Sequence, residues 1–296
     1  MLTQQQKTQY QEQGWLVVPD LLNDIMRQKM KDALAQWVEQ SRQISDHNQL
    51  FDLERGHSAA DPRVRRIKQP HKHGPVFEDF IRSQPVLDVL SDLLGPGLRL
   101  QSSKLNLKSP RFGSPVEWHQ DWAFYPHTND DILAVGVMLD DTSLENGAML
   151  VVPGSHQGPT YDHHADGRFC GALDPQMPGL NLDQAVPIVG KAGSVSFHHV
   201  RAVHGSAQNR STMSRNFLLY EVCAADAFPL MGVADFDEFN QRLLRGAPTI
   251  TPRFRDVPVR MPLPPALNQG SIYENQASSG KRFFDQVEVP QQAAST

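Results

Sequence analysis

The chain has 296 residues and a formal net charge of −5; 39% of the residues are hydrophobic and 21% are charged. This composition is typical of a soluble globular protein that can bury a substantial core. It carries no polyanion-binding signature, so we expect no nucleic-acid partner, and no apolar run reaches the roughly 20 residues of a membrane span, so we expect no membrane partner.

The N-terminus and the cysteines both indicate a reducing compartment. The first residues are polar and rich in glutamine, without the basic and then apolar segments of a secretion signal. Cys170 and Cys223 are the only cysteines, and their wide spacing argues against a disulfide framework. We therefore predict a cytoplasmic protein.

The N-terminal segment is predicted to contain a strand between two helices. A short helix within residues 1–13 precedes a strand at 14–18, which Pro19 ends. Asn23 can cap a second helix that runs to about Gln40. Its apolar residues recur at helical spacing and predict a core-facing side: Met26, Met30, Ala33, Leu34 and Trp37.

A polar stretch and two amphipathic helices follow. Residues 41–75 predict a long loop or an irregular excursion, and loops of this length often border a site. Within it, His71-Lys72-His73 is more typical of an exposed turn than of a metal site, because no third ligand lies nearby in sequence. Residues 76–94 predict two short helices that are broken at Pro85.

From residue 98 onwards, short apolar runs alternate with turn residues. Eight runs have the length and composition of strands: 98–107, 116–122, 132–139, 148–152, 185–189, 194–199, 202–204 and 216–223. Asn146-Gly147 stands between two of them and is typical of a hairpin. No helical pattern alternates with these strands, which argues against a doubly wound α/β sheet. We predict a mainly β fold with flanking helices and a barrel-like or jelly-roll core.

The chain is predicted to form a single domain. Residues 1–96 would supply the N-terminal strand and helices, 97–224 the β core, and 225–285 a helix from about Asp235 to Leu244 followed by an irregular proline-rich segment. Residues 286–296 are predicted to be a disordered tail.

The stretch Val116-Glu117-Trp118-His119-Gln120-Asp121-Trp122 can offer an imidazole and a carboxylate from one strand end. A second histidine from a distant strand would complete a facial site of two histidines and one carboxylate, which suits Fe(II). With 12 His and 33 acidic residues, a His-x-acid pattern is expected about once by chance. It does recur, as His164-Ala165-Asp166, so the surrounding sequence has to decide.

Three later histidines can complete the site: His198, His199 and His204. His204 lies at an apolar strand end before Gly205, and Arg215 begins the next apolar strand eleven residues later. An inward arginine there can hold a carboxylate through two parallel hydrogen bonds. This context favours His119, Asp121 and His204 as metal ligands.

Two rival sets remain as alternatives. His199 is also followed by an arginine eleven residues later, but Arg210 lies in a polar turn where a solvated side chain is expected. The pair His164 and Asp166 lies in a polar loop with no apolar strand leading into it.

Several segments together resemble the phytanoyl-CoA dioxygenase family. They are His119-Gln120-Asp121, Glu145-Asn146-Gly147 leading into Val152-Pro153-Gly154-Ser155-His156, and His204-Gly205-Ser206 with Arg215. The resemblance covers residues 97–224 and extends to the N-terminal strand at 14–18. It implies an Fe(II)- and 2-oxoglutarate-dependent oxygenase on a double-stranded β-helix.

The resemblance also implies roles for individual residues. His119, Asp121 and His204 would bind Fe(II), while Arg215 and Ser206 would bind the distal carboxylate of 2-oxoglutarate. Lys68 lies in a loosely matching region where the family has a cosubstrate-binding lysine, and an ordinary surface lysine is the alternative.

Two departures from the family concern the substrate. Gly136 stands where members that act on acyl-CoA tend to have a bulky aromatic residue, and His198 replaces an apolar one.

The predicted reaction is hydroxylation of an unactivated C–H bond of a small molecule by O2, with release of succinate and CO2. Related halogenases lack the carboxylate that Asp121 supplies, which favours hydroxylation. Histidine and basic residues near the expected mouth of the barrel favour an anionic or zwitterionic substrate: residues 124–127, the His163-His164 loop and residues 46–73.

Two other classes of protein explain fewer of these residues. A cupin-like metal-binding protein without oxidative turnover, such as a sensor or ligand carrier, needs the three ligands but not Arg215 and Ser206. A β-barrel carbohydrate-binding module leaves the whole set unexplained.

Overall fold

The structure is a computed structural model that describes residues 1–267 and 269–286. Its helices are α1 (Gln4–Gln13), α2 (Asp24–Gln40), α3 (Pro70–His73), α4 (Pro75–Ile81), α5 (Gln84–Leu94), α6 (Phe236–Gln241) and α7 (Ile272–Gln276). Its strands are β1 (Trp15–Val18), β2 (Phe51–Leu53), β3 (Val64–Lys68), β4 (Leu98–Lys108), β5 (Val116–His119), β6 (Ile132–Met138), β7 (Met149–Val151), β8 (His164–Ala165), β9 (Arg168–Phe169), β10 (Val186–Ile188), β11 (Val195–His199), β12 (His204–Ser206), β13 (Arg215–Ala224) and β14 (Leu243–Arg245).

Two antiparallel sheets form the centre of the fold. The larger sheet has the order β1-β11-β6-β13-β4-β3-β2, with β14 paired to β4, and the smaller sheet has the order β10-β7-β12-β5. Apolar side chains from both sheets pack together between them, including Met138, Met149 and Phe217. The predicted fold class, a double-stranded β-helix with flanking helices, is confirmed.

The helices cover the outer face of the larger sheet. In β6 every residue is buried, because alternate side chains meet different layers. Leu133, Val135 and Val137 pack in the cluster that contains the helices, whereas Ala134 and Met138 pack towards the smaller sheet. Both faces of this central strand are therefore shielded from solvent, which explains its continuous apolar sequence.

Helix α2 follows the prediction closely. The side chain of Asn23 accepts a hydrogen bond from the Met26 amide and caps the helix. Met30, Leu34 and Trp37 are buried, and Trp37 stacks on Phe77 of α4 with ring centroids 5.2 Å apart. The predicted stripe is thus a packing surface between helices.

The long loop predicted at residues 41–75 is wrong. Strands β2 and β3 lie within it and extend the larger sheet beyond β4. Their apolar residues, such as Phe51 and Ile67, are buried although charged residues neighbour them in sequence. These strands are short and rich in charged residues, so their sequences show no clear alternation of apolar and polar positions.

The hairpin predicted at Asn146-Gly147 is also wrong. The turn itself forms, because the Asn146 side chain accepts a hydrogen bond from the Ser143 amide and Gly147 has a φ of 83°. However, it connects β6 of the larger sheet to β7 of the smaller sheet. The chain therefore crosses between sheets at this point.

The C-terminal region differs in detail from the prediction. Helix α6 ends at Gln241, and β14 occupies the rest of the predicted helix. Helix α7 was not predicted. Of the predicted tail only Gln286 is described, and residues 287–296 lie outside the described residues; the domain boundaries stay predictions.

Two further predictions concern the cysteines and membrane spans. Cys170 and Cys223 are both free and buried. Within residues 1–267 and 269–286, no helix combines the length and the apolar character that crossing a bilayer requires.

Gly136 is required by close packing between the sheets. A Cβ atom at this position would overlap the Phe217 ring and Ser196 Oγ. We expect Gly136→Ala to lower the free energy of unfolding by about 1–3 kcal/mol through overpacking. Urea denaturation measures this loss, with Gly280→Ala as the control, since nothing lies within 4 Å of a Cβ atom there. Equal stability of the two variants would contradict the packing assignment.

Candidate active site

Two neighbouring strands of the smaller sheet bring His119 and His204 together. His204 on β12 pairs directly with His119 on β5, and the ring centroids are 4.1 Å apart. His204 begins β12, whereas the sequence predicted that it would end a strand. The strand predicted at 116–122 ends at His119, and a tight 3-10 turn, Asp121–Ala123, follows it.

This turn directs Asp121 towards both histidines. Its Oδ1 lies 3.6 Å from His119 Nε2, and its Oδ2 lies 3.9 Å from His204 Nε2. One ligand atom from each residue lies within 4.8 Å of the others, and all three residues are buried. Among the described residues, no other group of His, Cys, Asp or Glu side chains is arranged in this way. The three predicted ligands therefore do converge.

Backbone carbonyls orient both imidazoles. His119 Nδ1 donates to the Glu117 carbonyl at 2.8 Å, and His204 Nδ1 donates to the Ala202 carbonyl at 2.9 Å. Because a carbonyl can only accept, each Nδ1 carries the proton and each Nε2 keeps a free lone pair. Outer hydrogen bonds of this kind are typical of metal-binding histidines.

The charges at the site suit a divalent cation. Burial by itself would raise the pKa of Asp121, but Lys104 and the neighbouring histidines hold it well below its usual range. Burial and the neighbouring His119 and His198 lower the pKa of His204 well below its usual value. The site therefore places one ionised carboxylate beside two imidazoles whose Nδ1 atoms donate to backbone carbonyls, a donor set that fits Fe(II).

His198 is a third imidazole beside this group. It comes from β11 of the larger sheet and is buried, and its ring centroid lies 4.6 Å from that of His204 with the ring planes tilted by 58°. Its Nε2 lies 3.7 Å from Asp121 Oδ2, and neither ring nitrogen has a hydrogen-bond partner among the described residues. The departure noted in the sequence thus lies at the site itself.

Arg215 occupies the same inner cavity as His119, Asp121 and His204. It is buried, and no side-chain nitrogen of it bonds to a protein acceptor or carboxylate among the described residues. Burial lowers the pKa of Arg215 to about 10, so the guanidinium stays charged at neutral pH. A buried, unpaired charge is costly, so this position suits the binding of an anion.

Ser206 lines this cavity too, and Lys108 lies behind it. Lys108 Nζ donates to Ser206 Oγ at 2.8 Å and also to the Ala207 carbonyl. Lys108 pairs directly with Arg215 across β4 and β13. We did not predict a role for Lys108, although the alternation Lys104-Leu105-Asn106-Leu107-Lys108 placed three polar residues on one face of a strand.

Lys68 lies apart from this group. Its Nζ forms an ion pair with Asp52 at 2.8 Å and donates to the Asn48 carbonyl at 2.8 Å. It lines a second, outer cavity rather than the inner one. Its role in cosubstrate binding stays a prediction.

The outer cavity has a volume of about 500 Å³ and shares Arg66, Lys104, Asp121 and Ile272 with the inner cavity. Phe124 and Tyr125 line it, as do four residues of the polar 46–73 stretch: Gln49, Arg66, Lys68 and Gln69. His163, from the His163-His164 loop that was also predicted to border the mouth, does not line this cavity. It is buried, and its Nε2 accepts a hydrogen bond from the Gln120 amide at 2.9 Å.

The C-terminal helix α7 completes the site from one side. The Gln276 side chain accepts from the Glu117 amide at 2.9 Å and donates to the Glu117 carbonyl at 3.3 Å and the Gly171 carbonyl at 2.9 Å. It thereby covers the free edge of β5, the strand that carries His119. One turn earlier, Ile272 contributes to both cavities.

The two rival ligand sets do not form sites among the described residues. Arg210 is exposed and paired with Asp285, away from His199. His164 Nδ1 bonds to Asp162 at 2.8 Å, not to Asp166.

Comparison with known proteins supports the assignment by family. A protein of Stutzerimonas stutzeri named probable alpha-ketoglutarate-dependent hypophosphite dioxygenase is 35% identical over 288 residues, 95% of this chain and 99% of the relative. The L-proline trans-4-hydroxylase of Streptomyces griseoviridis is 28% identical over 72% of this chain and 83% of its own.

Among solved structures, EctD from S. alaskensis with bound Fe has the same fold, with a TM-score of 0.63 and 22% identity over 76% of this chain and 77% of its own. The model of the family described as phytanoyl-CoA dioxygenase (PhyH) matches residues 10–217. The chain belongs to the phytanoyl-CoA dioxygenase family of Fe(II)- and 2-oxoglutarate-dependent dioxygenases.

Proposed function

We propose that this enzyme hydroxylates an unactivated C–H bond of a small anionic or zwitterionic molecule. His119, Asp121 and His204 hold Fe(II), and Arg215 and Ser206 bind the distal carboxylate of 2-oxoglutarate. The substrate R–H, O2 and 2-oxoglutarate give R–OH, succinate and CO2, with one oxygen atom entering each of the first two products.

The observation that carries this proposal is the unpaired Arg215 beside the three ligands. A passive metal-binding protein has no need of a buried guanidinium without a counter-charge, because burying it costs stability. A dicarboxylate that reaches from the metal to Arg215 removes this cost. The cupin-like alternative leaves Arg215 unexplained.

Bound Fe(II), together with 2-oxoglutarate and O2, supplies the oxidising power for the reaction. The protein supplies orientation and charge. Glu117 and Ala202 hold the two imidazoles through their carbonyls, and Lys108 donates to Ser206 Oγ. The Ser206 hydroxyl proton is then free to point into the inner cavity and donate to a carboxylate.

The substrate class rests on the charges of the outer cavity. Arg66, Lys68 and Lys104 line it against the acidic Glu221 and the proposed ligand Asp121. Proline and ectoine, named in the relatives, are zwitterions, and hypophosphite is a small anion. A cationic wall of this kind attracts such molecules and fixes their orientation.

A second candidate reaction is the oxidation of hypophosphite. The relative that carries this name matches nearly the whole chain, including the C-terminal residues that line the outer cavity. Hypophosphite has P–H rather than C–H bonds. Transfer of one oxygen atom to phosphorus would give phosphite, again with succinate and CO2.

The proposed enzyme acts on a free small molecule in the cytoplasm, without nucleic-acid or membrane partners. This part of the proposal rests on the net charge and on the free cysteines.

Replacing Asp121 tests the metal site. Loss of a residue that only hydrogen-bonds to a metal ligand weakens metal binding by roughly 10- to 100-fold. We expect Asp121→Asn to weaken Fe(II) binding by more than this, because the charged ligand itself is removed. Anaerobic equilibrium dialysis measures the dissociation constant. Asp166→Asn, from the rival pattern, is the control and should bind iron normally; a loss in the control instead would reject the assignment.

Replacing Arg215 tests the cosubstrate site. We expect Arg215→Ala to raise the 2-oxoglutarate concentration that half-saturates the visible charge-transfer band by roughly 10- to 100-fold, since a charge-assisted hydrogen-bond pair is lost. Fe(II) binding should not change. Arg210→Ala is the matched control, because Arg210 follows the rival His199 at the same spacing. Iron binding by the wild type without any such band would favour the passive metal-binding protein.

A panel of substrates tests the substrate class and the bond oxidised. Succinate release should be stimulated by small carboxylates, amino acids or hypophosphite, and not by the neutral amides of those small carboxylates, because the cavity wall is cationic. Mass spectrometry of the products separates C–H hydroxylation from phosphite formation. Turnover confined to neutral hydrophobic compounds would contradict the proposed class.

A further inference from the structure

Arg66 differs from the other two cations of the outer cavity because no carboxylate of the described residues lies within hydrogen-bond distance of it. Lys104 pairs with Glu221 at 2.8 Å, and Lys68 pairs with Asp52 at 2.8 Å. Arg66 Nε lies 4.0 Å from Asp52 Oδ2, too far for a hydrogen bond, and Lys68 pairs with Oδ1 of the same carboxylate. Apart from Asp121, whose charge is assigned to the metal, the three cations meet two acids, Asp52 and Glu221, which leaves one positive charge in the wall.

Neighbouring groups hold the Arg66 guanidinium in place. Its Nε donates to Asn106 Oδ1 at 3.1 Å, and its Cζ lies 5.2 Å from the Tyr273 ring centroid. Only 8% of the residue is exposed. Neither terminal nitrogen has a hydrogen-bond partner among the described residues, and Nη2 is fully buried. A buried donor without an acceptor is destabilising unless a ligand supplies one.

The position of Arg66 connects the two cavities. Arg66 and Asp121 both line the inner and the outer cavity, so both lie where the cavities meet. An anion on Arg66 would therefore lie beside the proposed metal site. Arg215 and Ser206 line the inner cavity only, which provides a separate place for the cosubstrate carboxylate.

We propose that Arg66 binds the anionic group of the primary substrate, and that this substrate is a small monoanion such as a carboxylate or a phosphinate. The single uncompensated charge selects one negative charge, and the planar guanidinium matches two oxygen atoms. Arg66 then orients the substrate so that its reacting bond faces the metal. This inference rests on the proposed function and adds the residue and the charge that determine specificity.

The test uses the full-length enzyme loaded with Fe(II) and 2-oxoglutarate under anaerobic conditions. Sodium hypophosphite, propionate and neutral propionamide are titrated in turn by calorimetry. We expect the wild type to bind at least one of the two anions and not propionamide. Arg66→Gln should weaken anion binding by roughly 10- to 100-fold, because a charge-assisted pair is lost, and Arg66→Lys should recover part of it.

Two controls separate this proposal from the proposed function. Arg82→Gln removes a surface arginine that lines neither cavity and should bind as the wild type does. The charge-transfer band reports 2-oxoglutarate binding in every variant, and Arg66→Gln should change its half-saturation by no more than about twofold. Absence of the band in the wild type would reject the proposed function itself.

Two results would overturn the role of Arg66 while the band persists. A wild type that binds neither anion more tightly than propionamide has no site for a monoanion. If Arg66→Gln weakens 2-oxoglutarate binding and leaves anion binding unchanged, Arg66 serves the cosubstrate.

Discussion

The cross-strand pair His119 and His204 is the contact on which the site depends. The two residues are 85 positions apart in sequence, and the antiparallel register of β5 and β12 places them directly opposite each other. Opposite residues in such a pair have Cβ atoms about 5 Å apart, close enough for both rings to reach one ion. A shift of one residue in the register would turn one ring to the other face of the sheet.

The position of each strand gives the two ligands different support. His204 lies on β12, between β7 and β5, where hydrogen bonds on both sides fix the backbone. His119 lies on β5, at the edge of the sheet. The Gln276 side chain takes the place of a neighbouring strand there, because it pairs with both polar backbone groups of Glu117. The edge is thus held by a side chain from the far end of the sequence.

Prediction from the sequence succeeded where local pattern and chemistry agree. Capping by Asn23, the continuous apolar run of β6 and the convergence of the His119, Asp121 and His204 pattern all depend on residues that can be identified in one dimension. The errors concern partners that sequence does not specify. Asn146-Gly147 does form a turn, but only the tertiary fold decides that the next strand joins the other sheet. Lys108 escaped notice because its contact with Ser206 forms only in the folded chain. Arg66 escaped notice because its significance lies in the missing counter-charge, which is a property of its surroundings.

The C-terminal segment that includes α7 lies beyond residue 217, where the match to the family model ends. Ile272 nevertheless forms part of both cavity walls, together with Ser271 and Asn275 in the outer one. The residues proposed to bind metal and cosubstrate all precede residue 217, as does Arg66, so the C-terminal segment supplies one wall of the outer cavity and none of the proposed ligands. Evolution can therefore exchange the C-terminal wall and alter what enters the cavity while the oxidising centre stays intact, provided that a residue equivalent to Gln276 still secures β5.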